Sequence, residues 1–187
     1  IIYKNRIIPE KNCAYVDSNW FSVFKYDFVY GDPSAFNNNN YAVAITESKA
    51  KKYFGTANPI GNILKIDTLN YTVEAVVKDN PLNSSFQFDI MMQMGSHITQ
   101  PRVAKNIHSW GNFNFPTYVL LQDNANVQKV TGMLNAIMNR EREKNSANTT
   151  LQPLSTMHFE TDLQSTSLPH GNRKTTYIFS VLGILLL

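Results

Sequence analysis

Between Tyr41 and Met92 the apolar residues change their spacing twice, and a helix laid on a sheet accommodates both changes. Tyr41-Ala42-Val43-Ala44-Ile45 is a continuous run of strand length. Thr46 then caps a helix over residues 47–54. Glu47 sits in its first turn and Lys49, Lys51 and Lys52 lie toward its end, so the charges match the helix dipole. Gly55 stops it, and Asn58-Pro59-Ile60-Gly61 is a tight turn. Two strands follow, 63–67 and 71–78, joined by Thr68-Leu69-Asn70 as a hairpin. In the second, Tyr71, Val73, Ala75 and Val77 alternate with Thr72, Glu74, Val76 and Lys78, which makes one face largely apolar. After a loop over 79–85, residues 86–92 return as another strand.

On the N-terminal side, residues 15–24 start as a strand and become a short helix or turn capped by Asp17 or Ser18. Residues 26–30 are extended and end at Gly31-Asp32-Pro33. The polar tract at 37–40 belongs on a solvated loop. On the C-terminal side, 95–115 reads as a long irregular stretch. Residues 117–121 then read as a strand. A helix begins at Asn124 or Asn126 and runs to about Lys144. Its apolar residues Val127, Val130, Met133, Leu134, Ile137 and Met138 recur every three or four positions, a stripe that packs on a sheet. One more strand covers 149–154, and 155–172 is a polar connector. There is no internal repeat. The fold class expected is α+β, with helices covering mixed or antiparallel sheet.

Several functions are excluded or left without support. A 43% hydrophobic and 12% aromatic content excludes a disordered chain. A net charge of +3 without any dense Lys/Arg block gives nucleic-acid binding no support. Cys13 is the one cysteine, so an internal disulfide, a CxxC pair and a multi-cysteine zinc site are excluded; it reads as a small buried apolar residue. His97, His108, His158 and His170 lack metal-ligand spacing and read as exposed loop histidines. Neither a G-x-S-x-G elbow nor a phosphate-cradling glycine loop is present. No catalytic, cofactor-binding or metal residue is therefore assigned, and no cofactor is expected. The aromatics Trp20, Phe21, Phe24, Tyr26, Phe28 and Tyr30 read as core. Trp110, Phe113 and Phe115 sit in the long irregular stretch. They either anchor subdomain packing or form an exposed surface for a partner.

The two ends constrain localisation. The first nine residues do not form a signal peptide. Residues 175–187 carry no charge and follow Arg173-Lys174. A basic pair, then an aromatic, then an aliphatic run is how a transmembrane helix often begins, and about half of the roughly 20 residues of a span are present. The other reading is a C-terminal core element. The expected division is an extracytoplasmic domain over 1–174 and the start of a transmembrane helix over 175–187.

Three runs carry a family resemblance. They are Tyr15-Val16-Asp17-Ser18-Asn19-Trp20-Phe21-Ser22-Val23-Phe24 with Gly31-Asp32-Pro33; Ala44-Ile45-Thr46-Glu47-Ser48-Lys49-Ala50-Lys51-Lys52-Tyr53-Phe54-Gly55 with Asn58-Pro59-Ile60-Gly61-Asn62; and Tyr71-Thr72-Val73-Glu74-Ala75-Val76-Val77-Lys78-Asp79 with Pro81, Ser84 and Phe86-Gln87-Phe88-Asp89. In this order and spacing they resemble the MacB-like periplasmic core domain of FtsX-type ABC-transporter permeases. Trp110-Gly111 and Thr117-Tyr118-Val119-Leu120-Leu121 resemble members from Bacteroidetes. Asn62 stands where Lys is common, and Ala75 where Gly is common. On this resemblance the family's first transmembrane helix and opening strand–helix are missing from the chain.

The resemblance implies a two-part domain, with a porter-like βαβ subdomain and a second, mostly β subdomain. It implies a non-catalytic domain on the periplasmic side of the inner membrane, coupling cytoplasmic ATP hydrolysis to substrate export, lipoprotein release or signalling. The implied partners are an ABC ATPase acting through the membrane part, a second permease copy, a periplasmic protein or lipoprotein, and the inner membrane through the C-terminal helix. The alternative is a free-standing periplasmic ligand- or protein-binding module with the Trp110 stretch as its contact site.

Overall fold

The computed structural model describes residues 1–3, 6–142, 148–159 and 171–186. In chain order these form β1 (Ile2–Tyr3), β2 (Arg6–Ile7), β3 (Cys13–Val16), α1 (Trp20–Val23), β4 (Phe28–Gly31) and α2 (Pro33–Asn38). Next come β5 (Ala42–Thr46), α3 (Glu47–Phe54), β6 (Ile63–Ile66), β7 (Leu69–Val77) and β8 (Ile90–Gln93). The helices α4 (Met94–Ile98), α5 (Pro101–Ala104), α6 (Val127–Glu141), α7 (Leu154–Met157) and α8 (Arg173–Leu185) complete the order. His170, most of the polar connector and the expected last residues of the helix after Asn126 lie outside the described residues. The chain divides into two compact units, Ile1–Gln122 and Asp123–Leu187.

The first unit is a mixed sheet in the order β2-β1-β6-β7-β5-β8-β3, with β4 also on β7. The centre is β7. It pairs antiparallel with β6 over its first half and with β4 over its last three residues, and parallel with β5 from Thr72 to Val77. The connection β5–α3–β7 is a βαβ crossover with β6 inserted, so the α+β class holds. The hairpin turn is tighter than the sequence implies. Asp67 takes φ +52, which lets two residues reverse the chain and returns Leu69 and Asn70 to the strand.

Alternate residues of β5 point to opposite faces, yet all five are buried, so the sheet is covered on both sides. On one side Val43 and Ile45 join Tyr71, Val73, Leu64, Ile90 and the Ala50–Tyr53 face of α3. On the other, Phe36 of α2 is fully buried and its ring lies 5.1 Å from that of Phe21. The register slips between Val43 and Ala44 opposite β7, a bulge beside Glu74. Beyond it Ala75, Val76 and Val77 are all buried, which is why Val76 departs from the expected polar alternation.

Several local expectations need correction. Helix α3 begins at Glu47, but the Thr46 side chain caps nothing at the helix end. Instead Asp79, from the loop after β7, accepts from Ser48 N at 3.0 Å and Ser48 Oγ at 2.5 Å. The tract at 37–40 is not all loop: Asn37 and Asn38 end α2, whose Asp32 cap accepts from Ser34 N and Ala35 N with Pro33 in the first turn. The strand expected over 86–92 starts only at Ile90, because Phe86 and Phe88 turn into an aromatic cluster with Trp20.

In the second unit, α6 starts as expected, with Asn126 accepting from Lys129 N at 2.9 Å. None of its residues is buried, so the expected packing of its apolar stripe is not seen within this unit. Among the described residues, 149–154 pair with no strand. Asn135 on α6 holds both backbone groups of Thr149, donating to its carbonyl at 3.0 Å and accepting from its N–H at 2.6 Å, which occupies the groups a neighbouring strand would use. Helix α8 has no buried residue. Among the described residues no helix is long and apolar enough to cross a membrane.

Candidate partner-contact surface

The stretch expected to be irregular is built on β8 and contains two helices, α4 and α5. Gln93 ends β8 and caps α4 by accepting from Gly95 N. Ser96 is fully buried. Its hydroxyl donates to Gln93 O at 2.9 Å and meets the Tyr71 hydroxyl of β7 at 2.9 Å. A buried hydroxyl pair of this kind ties α4 to the central strand, because either oxygen left alone would lose its hydration without compensation. His97 then stacks on Tyr15 of β3, centroids 4.2 Å apart and rings 22° from parallel. Burial first, and then the neighbouring Tyr71 hydroxyl, push the Tyr15 phenol well above its usual range, so it stays neutral. His97 is thus a packed residue of α4, not an exposed loop histidine; His108 and His158 are exposed as expected.

The three aromatics expected to act together are divided by this frame. Phe115 turns back, its ring edge-on to His97 at 6.4 Å. Trp110 and Phe113 are 44% and 66% exposed. Phe115 therefore anchors the stretch while the other two face solvent. The strand expected over 117–121 is not formed; the segment has no strand partner among the described residues. Tyr118 is drawn into the aromatic cluster, 5.3 Å from Phe24 and 5.4 Å from Phe86, while Val119 and Leu120 stay exposed. Sequence reading missed Val119 and Leu120 as surface residues because Thr-Tyr-Val-Leu-Leu carries the composition of a buried strand. Between Met94 and Gln122 there is no Asp or Glu, whereas Arg102 and Lys105 are exposed, so this stretch of chain is mildly cationic.

Among the described residues no group of three or more His, Cys, Asp or Glu could hold a metal ion. Cys13 is half-buried on β3, and burial pushes its thiol up, away from a reactive thiolate.

Comparison with known proteins bears on the family and the fold. The sequence matches the family described as the MacB-like periplasmic core domain over residues 3–137, well over half of the chain. No curated protein matches. Among solved structures, the periplasmic region of MacB from Actinobacillus actinomycetemcomitans is 14% identical with a TM-score of 0.53, over 78% of this chain and 63% of that one. A domain of a protein described as a permease from Porphyromonas gingivalis is 18% identical with a TM-score of 0.51, over 76% of this chain and 69% of that one. The extracellular domain of the noncanonic ABC-type transporter YknZ from Gram-positive bacteria is 17% identical with a TM-score of 0.50, over 73% and 67%. The chain thus spans a little under two thirds of the MacB region, and at these identities the likeness is one of fold. With the family match lying across the β5–α3–β7 crossover and its flanking strands, the chain belongs to the MacB-like periplasmic core domain family.

Proposed function

We propose that this chain is the non-catalytic, extracytoplasmic domain of an ABC-transporter permease. It would couple ATP hydrolysis in a cytoplasmic ABC ATPase to substrate export, lipoprotein release or signalling across the inner membrane. The family match over residues 3–137 carries this reading. Helix α8 supports a division at 174 and 175. It begins at the basic pair Arg173-Lys174, and its apolar residues Tyr177, Ile178, Phe179, Val181, Leu182, Ile184 and Leu185 are all exposed. A helix apolar on all sides is made for a greasy surrounding, so residues 175–187 are proposed as the start of a transmembrane helix. The proposed partners are the ATPase, reached through the membrane part, a second permease copy, and a periplasmic protein or lipoprotein seated on Trp110, Phe113 and the neighbouring Val119 and Leu120. Phe115 is proposed as the anchor of that surface.

Thiol labelling in intact cells tests the location. Leu82 is fully exposed, and Cys13 is the one cysteine of these 187 residues. A Leu82→Cys change in a Cys13→Ala background should react with a membrane-impermeant maleimide before lysis. Labelling only after lysis would place the domain in the cytoplasm and end the reading. In a complete transporter, Trp110→Ala with Phe113→Ala should lower transport at least fivefold with ATPase activity retained. Unchanged transport would remove the contact surface and leave the location untouched.

A further inference from the structure

The sheet path ends on β3, which pairs with β8 and with no other strand among the described residues. Asn12 O accepts from Ile90 N at 3.2 Å. By the alternation of a ladder, Ala14 and Val16 also turn their backbone groups to β8, while Cys13 and Tyr15 turn theirs outward. Among the described residues no backbone group bonds to those of Cys13 or Tyr15 on the outer side. An edge left in this state offers donors and acceptors at strand spacing. A second segment of the same unit is unpaired in a complementary way. Thr117-Tyr118-Val119-Leu120-Leu121 has strand composition, yet among the described residues none of its backbone groups bonds to another backbone group. Two rings fix its place. Phe115, just before it, meets His97, which stacks on Tyr15 of β3. Tyr118 within it lies 6.2 Å from Trp20 and 5.3 Å from Phe24, at the two ends of the short helix that follows β3. The segment is thus held close to the C-terminal end of β3, and little loop entropy is lost in reaching it.

We propose that residues 117–121 close onto the outer edge of β3 as a further strand of the sheet, in exchange with the unpaired arrangement. Closure gives partners to the outward groups of Cys13 and Tyr15 and to alternate groups of the segment, all of which otherwise depend on water. It also changes what the segment presents. Successive side chains of a strand point to opposite faces. Val119 and Leu120 are 52% and 70% exposed when unpaired, and closure parts them, one to each face of the sheet. The surface proposed for a periplasmic partner is then complete only while the edge is open. That consequence rests on the partner reading; the pairing itself does not.

Hydrogen exchange read by mass spectrometry on the full 187-residue chain in mild detergent tests this. Amides over residues 117–122 should exchange about fivefold or more slowly than those of an unpaired chain. Cys13→Pro removes one outward N–H of β3 and no bond to β8, a change that an edge strand tolerates. In that variant residues 117–122 should return to the unpaired rate while β8 keeps its protection. Val119→Pro and Leu120→Pro should act unequally, because only one of these two N–H groups faces β3. Exchange of the parent segment at the unpaired rate would refute closure. So would protection that survives Cys13→Pro, since its partner would then lie elsewhere. If Cys13→Pro loosens β8 as well, the Val119 and Leu120 variants decide, and equal effects from those two refute a strand. Transport by the Trp110→Ala, Phe113→Ala transporter reads the partner surface alone, so either reading can fall without the other.

Discussion

Backbone geometry gives the sharpest prediction at the level of single residues. Gly31 and Gly61 both have positive φ, +70 and +81, a region in which an L side chain costs about 1–2 kcal/mol. Their surroundings differ. A Cβ at Gly31 would sit 2.1 Å from the carbonyl oxygen of Glu74, where β4 crosses β7 beside the bulge, while a Cβ at Gly61 meets open space. Gly31→Ala should lose about 3 kcal/mol or more, because neither strand backbone can move without breaking its ladder. Gly61→Ala should lose only about 1 kcal/mol, from backbone strain alone. Denaturant midpoints of the two variants decide this, and equal losses would mean that β4 does not approach β7 as described.

Glu10 supplies a pH signature at the same scale. Burial pushes its pKa up, but hydrogen bonds from Lys49, Lys52 and Tyr53, with the charge of Lys49, outweigh that and bring it from 4.5 down to about 2. A carboxylate whose pKa is lowered by folding stabilises the fold above its unfolded value. That contribution is complete above pH 4.5 and is lost as pH falls from there through about 2. The thermal midpoint of the parent should thus exceed that of Glu10→Gln most above pH 5, and the gap should close toward pH 2. Lys49 is the largest of these partners, acting by hydrogen bond and by charge, and half-exposed Lys52 and then Tyr53 add to it.

Among the elements, α3 shows how far a local reading reaches. Its bounds match the expectation from Thr46 to Gly55, because the stop signal is a local one: Gly55 takes φ +71. The source of its N-terminal bonds was not legible. Asp79 lies far along the chain from Ser48, and only the return of β7 alongside β5 brings them together. Asp79→Ala should cost about 1 kcal/mol, the size of a lost N-cap, while Thr46→Ser should cost far less. A loss of stability at Thr46 that exceeds the one at Asp79 would reverse this assignment. The same distinction separates the other outcomes. Helix α2 was missed although Asp32-Pro33-Ser34 spells a helix start, since the polar Asn tract behind it masked the short apolar contribution of Phe36. The segments 117–121 and 149–154 have strand composition, but a strand needs a neighbour, and pairing is a long-range property that composition does not encode. The candidate surface was half legible. Trp110 and Phe113 stood out by type, but the turning inward of Phe115 depends on His97 and Tyr15, which lie on other elements.

The first unit holds a sheet covered on both faces, and in the second unit α8 has no buried residue. In the first unit nearly every large apolar residue of β5, β7 and β8 is out of water. Each such side chain contributes about 1.5–3 kcal/mol relative to exposure, so the unit has its own reason to fold. In α8 the same kinds of side chain are left in contact with solvent: Phe179 and Leu185 are 68% and 75% exposed. Its 13 residues make about 20 Å of helix, against roughly 30 Å of hydrocarbon in a bilayer. Such a surface is satisfied by lipid or detergent and by little else on a domain of this kind. A chain ending at Lys174 should therefore keep the thermal unfolding of the sheet unit and remain in the aqueous phase of a detergent phase separation. The 187-residue chain should enter the detergent phase. If both chains stay in water, α8 finds its cover within the protein, and the membrane reading of residues 175–187 fails. If the shortened chain loses its unfolding transition, α8 is part of the folded core, and its exposed face belongs to folding rather than to the membrane.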